Sequence, residues 1–119
     1  MKHNKKGRTL GRKKGQRVAL LRSLARSLVM HEKITTTVAR AKEPRPFVEH
    51  LVTKAKKSDT NSRRLISRRL GWAPGAVSKL HSTIAPRYAT RAGGYTRIIK
   101  LGPVGKRMVD SAVIEFVKE

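Results

Sequence analysis

Twenty-nine lysines and arginines stand against seven acids in 119 residues, a formal net charge of +22. No other feature constrains this chain so tightly. A compact domain carrying that charge repels itself unless a polyanion neutralises it. Nucleic acid is the polyanion that fits, because its phosphates bind basic side chains while releasing condensed counterions. The length suits a single domain, and a 38% hydrophobic content allows one small core. With so little apolar surface, the free protein should be modestly stable, and part of it is expected to order on its partner. The absence of cysteine excludes a disulfide framework, a thiolate nucleophile and a cysteine zinc site. No apolar run approaches the length of a membrane span. The opening Met1–Lys6 leads into no apolar signal core, so a cytoplasmic protein is expected.

Residues 1–16 carry Lys2, His3, Lys5, Lys6, Arg8, Arg12, Lys13 and Lys14 with no acid among them, and Gly7, Gly11 and Gly15 recur every fourth position. No apolar face can be drawn there. An extended basic arm is expected, lying in a groove of folded RNA where glycine lets the backbone approach phosphates. From Arg17 the period turns helical. Val18, Leu21, Leu24, Ala25, Leu28 and Val29 share an arc, flanked by Arg22 and Arg26. Those two arginines and Arg17 are candidates for phosphate contact, because acids for ion pairs are scarce.

Residues 32–37 are rich in β-branched side chains and read as a short strand or extended link. Thr37 is a plausible N-cap for a second helix beginning near Val38. Pro44 and Pro46 are expected to break or kink that helix, with Glu43 pushed away from helical angles. The helix should resume with Pro46 near its first turn, turning Phe47, Leu51 and Val52 inward. After a loop of possible caps at 58–61, a short helix holds Arg63, Arg64, Arg68 and Arg69 around Leu65, Ile66 and Leu70, closed by Gly71. Four arginines in seven residues without an acid favour phosphate contact over a merely soluble face. Trp72 is expected as a core anchor, with base stacking the weaker alternative. Pro74 starts another helix with Val77, Leu80 and Ile84 as its stripe, and Pro86 is expected to end it.

The stretch from Pro86 to Arg97 interleaves Arg87, Arg91 and Arg97 with Tyr88, Tyr95 and the pair Gly93-Gly94. Arginine supplies bidentate phosphate contacts, tyrosine can stack or donate, and glycine opens backbone angles closed to other residues. Replacing the three arginines together is expected to weaken RNA binding without unfolding the body. Residues 95–101 and 111–117 read as an antiparallel hairpin with a basic loop at Lys106 and Arg107. Ala112, Ile114 and Phe116 share one face.

Signs of catalysis are scarce. His31-Glu32 has no second histidine at position 35, so the zincin pattern fails. The four histidines are scattered, no carboxylate pair is placed for acid and base work, and Gly93-Gly94 lacks the lysine of a P-loop. No metal, cofactor or small-molecule substrate is expected. Two binding readings stay open at this point: a structural RNA binder surrounded by phosphate, and a basic nucleoid-type DNA binder. A helix-turn-helix reader is disfavoured, because residues 63–70 offer arginine and little else for base edges.

Three motifs carry a resemblance. Gly7-Arg8-Thr9-Leu10-Gly11-Arg12 looks like an opening arm. The run from Arg22 to Thr37, followed by Ala41-Lys42-Glu43, is similar to a central signature. Arg91-Ala92-Gly93-Gly94-Tyr95-Thr96-Arg97-Ile98 matches the most distinctive motif. Together, in order and across nearly the whole chain, they resemble the bacterial large-subunit ribosomal protein seventeen family. Pro44, Pro46, Gly15-Gln16 and residues 106–110 depart from the family's usual pattern.

The resemblance implies an α+β fold: a compact body of about four helices packed with a small, about three-stranded sheet, plus an extended basic N-terminal arm. It divides the chain into a basic RNA-binding extension at 1–16 and a single domain at 17–119. It further implies a non-catalytic constituent of the large ribosomal subunit that binds 23S ribosomal RNA near the side where the peptide tunnel opens, with other large-subunit proteins as neighbours.

Overall fold

The computed structural model describes Leu10, residues 13–57 and residues 59–118. Most of the expected arm therefore lies outside the described residues. Lys13 is extended (φ −68°, ψ 159°) and caps helix α1, Lys14–His31. The helix thus starts three residues ahead of the expected Arg17 and takes in Lys14, Gly15 and Gln16. Its apolar arc is buried only in the second half, at Ala25, Leu28 and Val29; Val18 is exposed. Glu32 closes α1 in the left-handed conformation, its N–H bonded to the Leu28 carbonyl.

Strand β1, Lys33–Thr37, passes directly into α2, Val38–Lys42, where Thr37 Oγ1 accepts the Arg40 N–H at 3.3 Å. α3 runs Pro44–Ala55. Neither Pro44 nor Pro46 can donate to the preceding turn, so the hydrogen-bond ladder is interrupted where the sequence places it. Glu43 nevertheless keeps helical angles (φ −68°, ψ −47°), and its N–H reaches the Ala39 carbonyl at 3.1 Å. The expected departure of Glu43 from helical geometry does not occur. Pro44 stands at the first position of α3, where a missing N–H costs nothing, and α2 and α3 follow one another through a helical turn. Val48, Leu51, Val52 and Ala55 point into the core; Phe47 is only half-buried.

α4, Thr60–Arg69, begins with Asp59, whose carboxylate accepts the Ser62 N–H at 2.7 Å. It ends in a Schellman arrangement. The Gly71 N–H donates to the Arg68 carbonyl and the Trp72 N–H to that of Ser67, with Gly71 at φ +74° as the motif requires. Trp72 is not a core anchor: it is 70% exposed. The Schellman motif normally rests this residue on an apolar side chain five positions back, and here that position is Ser67.

α5, Pro74–Lys79, continues through a π-helical turn, Leu80–Ile84, into a last turn α6, Ala85–Arg87. Pro86 does not end the helix as expected; it sits inside that last turn. The preceding π-turn, in which the Ala85 N–H reaches back to Leu80, loosens the backbone against which a proline ring would clash.

β2, Thr96–Val104, and β3, Val109–Phe116, form the expected hairpin, longer at its tip than read from sequence. The sheet is antiparallel in the order β1-β3-β2. Ile34, Ile114 and Ile98 line up in register across it. A bulge at Leu101 shifts the β2 register beside Gly102, whose φ is +82°. Ala112, Ile114 and Phe116 face the helices, and the core runs from them through Tyr88, Tyr95, Leu51, Leu80 and Leu28. The architecture is the α+β arrangement of a helical body on a three-stranded sheet.

Candidate nucleic-acid interface

The cations divide by what they touch. Arg63, Arg64, Arg68 and Arg69 are all exposed on α4, because Ile66 and Leu70 fix the opposite side of that helix in the core. None of the four has an acid or carbonyl partner among the described residues. Exposed and without such partners, they can offer bidentate contacts to phosphate. Arg22 and Arg26 bring α1 to the same corner. Arg26 Nη1 donates to the Leu70 carbonyl at 2.9 Å, capping α4. A Cβ at Gly71 would stand 2.9 Å from that nitrogen and 3.4 Å from Arg22 Cδ. Glycine is thus required at 71 for its backbone angle, and a Cβ there would also oblige the Arg26 guanidinium to shift. Lys13 and Lys14 are exposed at the start of α1 and Arg17 is half-buried. Lys2, His3, Lys5, Lys6, Arg8 and Arg12 lie outside the described residues.

The 87–97 segment is built differently. Arg87 Nη1 meets Glu32 Oε1 at 2.5 Å. Lys79 Nζ reaches Glu32 Oε2 at 3.3 Å and donates to the Met30 carbonyl at 2.7 Å, tying the end of α5 to the end of α1. The hydrogen bond from Arg87 holds the Glu32 carboxyl below its ordinary pKa against the opposing effect of burial, with Lys79 adding to it. Arg91 Nε donates to the Gly93 carbonyl at 3.0 Å and braces the turn in which Gly94 takes φ +63°. Arg97 Nε pairs across the strands with Glu115 Oε1 at 3.3 Å; that arginine stays largely exposed.

The two tyrosines expected among the RNA contacts face inward. Tyr88 and Tyr95 are buried with ring centroids 5.2 Å apart, and Phe116 lies 6.3 Å from Tyr88. Their hydroxyls are used internally, Tyr88 on the Val117 carbonyl and Tyr95 with Thr53 Oγ1. Apolar packing with a satisfied hydroxyl is the ordinary fate of tyrosine in a core this poor in large side chains. Glu49 fastens the end of the motif by accepting both the Thr96 N–H (3.1 Å) and hydroxyl (2.8 Å). Arg45 bonds the Thr96 carbonyl at 3.2 Å.

Two features escape a reading of the sequence. Lys42, Arg45 and Lys100, with Ile98, line an open groove between the α2–α3 junction and β2; their separation along the chain hides them. Lys56 lies 4.9 Å over the Tyr95 ring and donates to the Arg91 carbonyl, an arrangement that no local pattern announces. Among the described residues no group of three histidines and acids could hold a metal ion, and no helix is long and apolar enough to cross a membrane.

Comparison with known proteins bears on what this arrangement serves. Residues 20–117 match the model of the family described as Ribosomal protein L17. The chain is 48% identical over 119 residues to the large ribosomal subunit protein bL17 of Pelobacter propionicus, covering 100% of this chain and 93% of that one. It is likewise 48% identical over 122 residues to bL17 of Trichlorobacter lovleyi (100% and 95% covered) and 47% over 117 residues to bL17 of Orientia tsutsugamushi (98% and 80%).

Proposed function

The chain belongs to the ribosomal protein L17 family, a structural component of the large ribosomal subunit and not an enzyme, and from that premise we propose that it binds and stabilises folded 23S ribosomal RNA. It does so by placing cations on several RNA surfaces at once and fixing their relative positions. The observation that carries this reading is the set of four exposed α4 arginines without partners among the described residues, facing outward from a core that holds their helix still. The Lys42–Arg45–Lys100 groove is a second phosphate-binding surface on the sheet side of the molecule. The seven lysines and arginines in residues 1–16 add a third.

A ribosomal setting also accounts for the charge. A net +22 is a burden for a free domain and an asset for one embedded in a phosphate lattice. Neighbouring large-subunit proteins share that setting, and a position near the side where the peptide tunnel opens follows the family resemblance. If about ten phosphates are neutralised, the affinity for 23S RNA falls with log salt at a slope of roughly −7 to −9. Titration of the purified protein with transcribed 23S RNA at several salt concentrations measures that slope, and a flat dependence would contradict the reading. Co-sedimentation with 50S particles through a high-salt wash is the companion result expected. Recovery on chromosomal DNA instead would favour a nucleoid role.

A further inference from the structure

Trp72 is a large aromatic side chain left in solvent on a hydrogen-bonded backbone. It is 70% exposed and adopts φ +60°, a left-handed conformation that costs any residue with a Cβ. The position is not a slack loop. Its N–H donates to the Ser67 carbonyl at 2.7 Å, and Gly71 beside it donates to Arg68 at 3.2 Å. The indole is therefore presented from a closed helix end, where backbone strain is retained instead of relaxing.

The surroundings carry one sign of charge. Arg68 and Arg69 stand on the last turn of α4, and the side chains of Arg22 and Arg26 press against Gly71 from α1. Arg26 gives one hydrogen bond to the Leu70 carbonyl. Arg22, Arg68 and Arg69 have no partner among the described residues. We propose that Trp72 stacks on an unpaired base of the ribosomal RNA, while Arg22, Arg68 and Arg69 hold the phosphates on either side of it. An apolar pocket of a protein could also receive an indole, but it would have to strip water from the surrounding cations with nothing to neutralise them. A splayed nucleotide offers a π-face and phosphates together, the two chemistries this corner displays.

This inference rests on the RNA-binding reading above and goes further by naming the kind of nucleotide and the side chain that receives it. Trp72 is the chain's sole tryptophan, so its fluorescence, excited where tyrosine does not absorb, reports this position alone. We would titrate wild type, Trp72→Phe and Trp72→Leu with transcribed 23S RNA and with a fully paired RNA duplex as control. Thermal unfolding of all three should coincide, because the indole is outside the core. The 23S RNA should quench Trp72 strongly, and the paired duplex should leave it nearly unchanged.

Trp72→Leu should weaken 23S binding by about 5- to 150-fold, the range of one base–aromatic stack, without altering the salt slope. Phenylalanine should restore most of the loss. Unquenched emission together with equal affinity of Trp72→Leu and wild type would overturn the stacking role while leaving RNA binding intact. Emission that changes only on incorporation into the 50S particle, with 23S affinity unaffected by the leucine, would overturn it in favour of a protein pocket. A wild type with no salt-dependent 23S affinity would overturn both this inference and the reading beneath it.

Discussion

Two arginine-rich stretches of this chain look alike in sequence and differ in the folded molecule. The 63–69 stretch sits on one helix whose inner side is held by Ile66 and Leu70, and its four guanidinium groups are exposed and unclaimed among the described residues. The 87–97 stretch winds from a helix end through a glycine turn into an edge strand. Its arginines are spent on Glu32, the Gly93 carbonyl and Glu115. Seven acids cannot neutralise twenty-nine cations, so where the acids fall decides which arginines serve the fold. Glu32 and Glu115 fall beside the second stretch. The first has Asp59 at its helix start, and that carboxylate is used as the N-cap.

The comparison can be broken most readily on the α4 side. Replacing Arg63, Arg64, Arg68 and Arg69 together with alanine should flatten the salt slope of 23S RNA binding by roughly 3, close to one for each phosphate left without its arginine. Thermal unfolding should hardly move, since exposed alanines are good helix formers. An unchanged slope would mean that these arginines face solvent in the ribosome.

The 87–97 side should show the opposite response. Arg87→Ala removes a charge-assisted hydrogen bond between side chains that are 26% and 35% exposed. Discounted for that exposure, the cost is about 1–2 kcal/mol of stability, read from urea unfolding. Arg97→Ala, at an exposed cross-strand pair, should cost under about 1 kcal/mol. Equal destabilisation by the two would remove the distinction between the half-buried corner and the strand edge.

Acid should lower stability in two stages, at two separate groups. His81 is buried on the π-turn, and neither ring nitrogen pairs with a side chain among the described residues. Burial, and then the charge of Arg63, hold its pKa below the ordinary 6.5. Stability is therefore complete above that value and falls as the pH drops below it, because the unfolded chain takes up a proton that the folded one refuses. Glu32, its pKa lowered from 4.5, contributes stability that is present above 4.5 and is lost as the pH falls further. His81→Leu should abolish the first stage of a pH series of unfolding midpoints and Glu32→Gln the second. A single acid transition unaffected by His81→Leu would refute the assignment.

Much of the fold can be read along the chain because its signals are local. Thr37 and Gly71 act as the caps their types suggest, Asp59 is one of the four candidate caps in its loop, and alternation places Ala112, Ile114 and Phe116 inward. The α4 arginines stand out for the same reason: Ile66 and Leu70 fix one side of the helix inward, and all four arginines fall on the exposed side. What is not legible depends on tertiary partners. Nothing near Arg87 in sequence announces Glu32, which lies fifty-five positions away. Tyr88 and Tyr95 look like ligand contacts until the core is seen to need them. Trp72 follows hydrophobicity into an expected core, but the Schellman turn sets its direction and Ser67 gives it nothing to pack on. Pro44, Pro46 and Pro86 look like breakers in sequence, yet a first-position proline and a π-turn absorb them.

The central claim is that α4 binds RNA while the 87–97 arginines build the fold. The most direct measurement sets the α4 quadruple alanine variant beside the Arg87, Arg91 and Arg97 triple alanine variant, recording unfolding midpoint and 23S RNA affinity for each. The account predicts that the α4 variant keeps its midpoint and loses affinity, whereas the triple variant unfolds at lower temperature and, where still folded, loses less affinity. A triple variant that stays as stable as wild type and binds RNA more weakly than the α4 variant would contradict it.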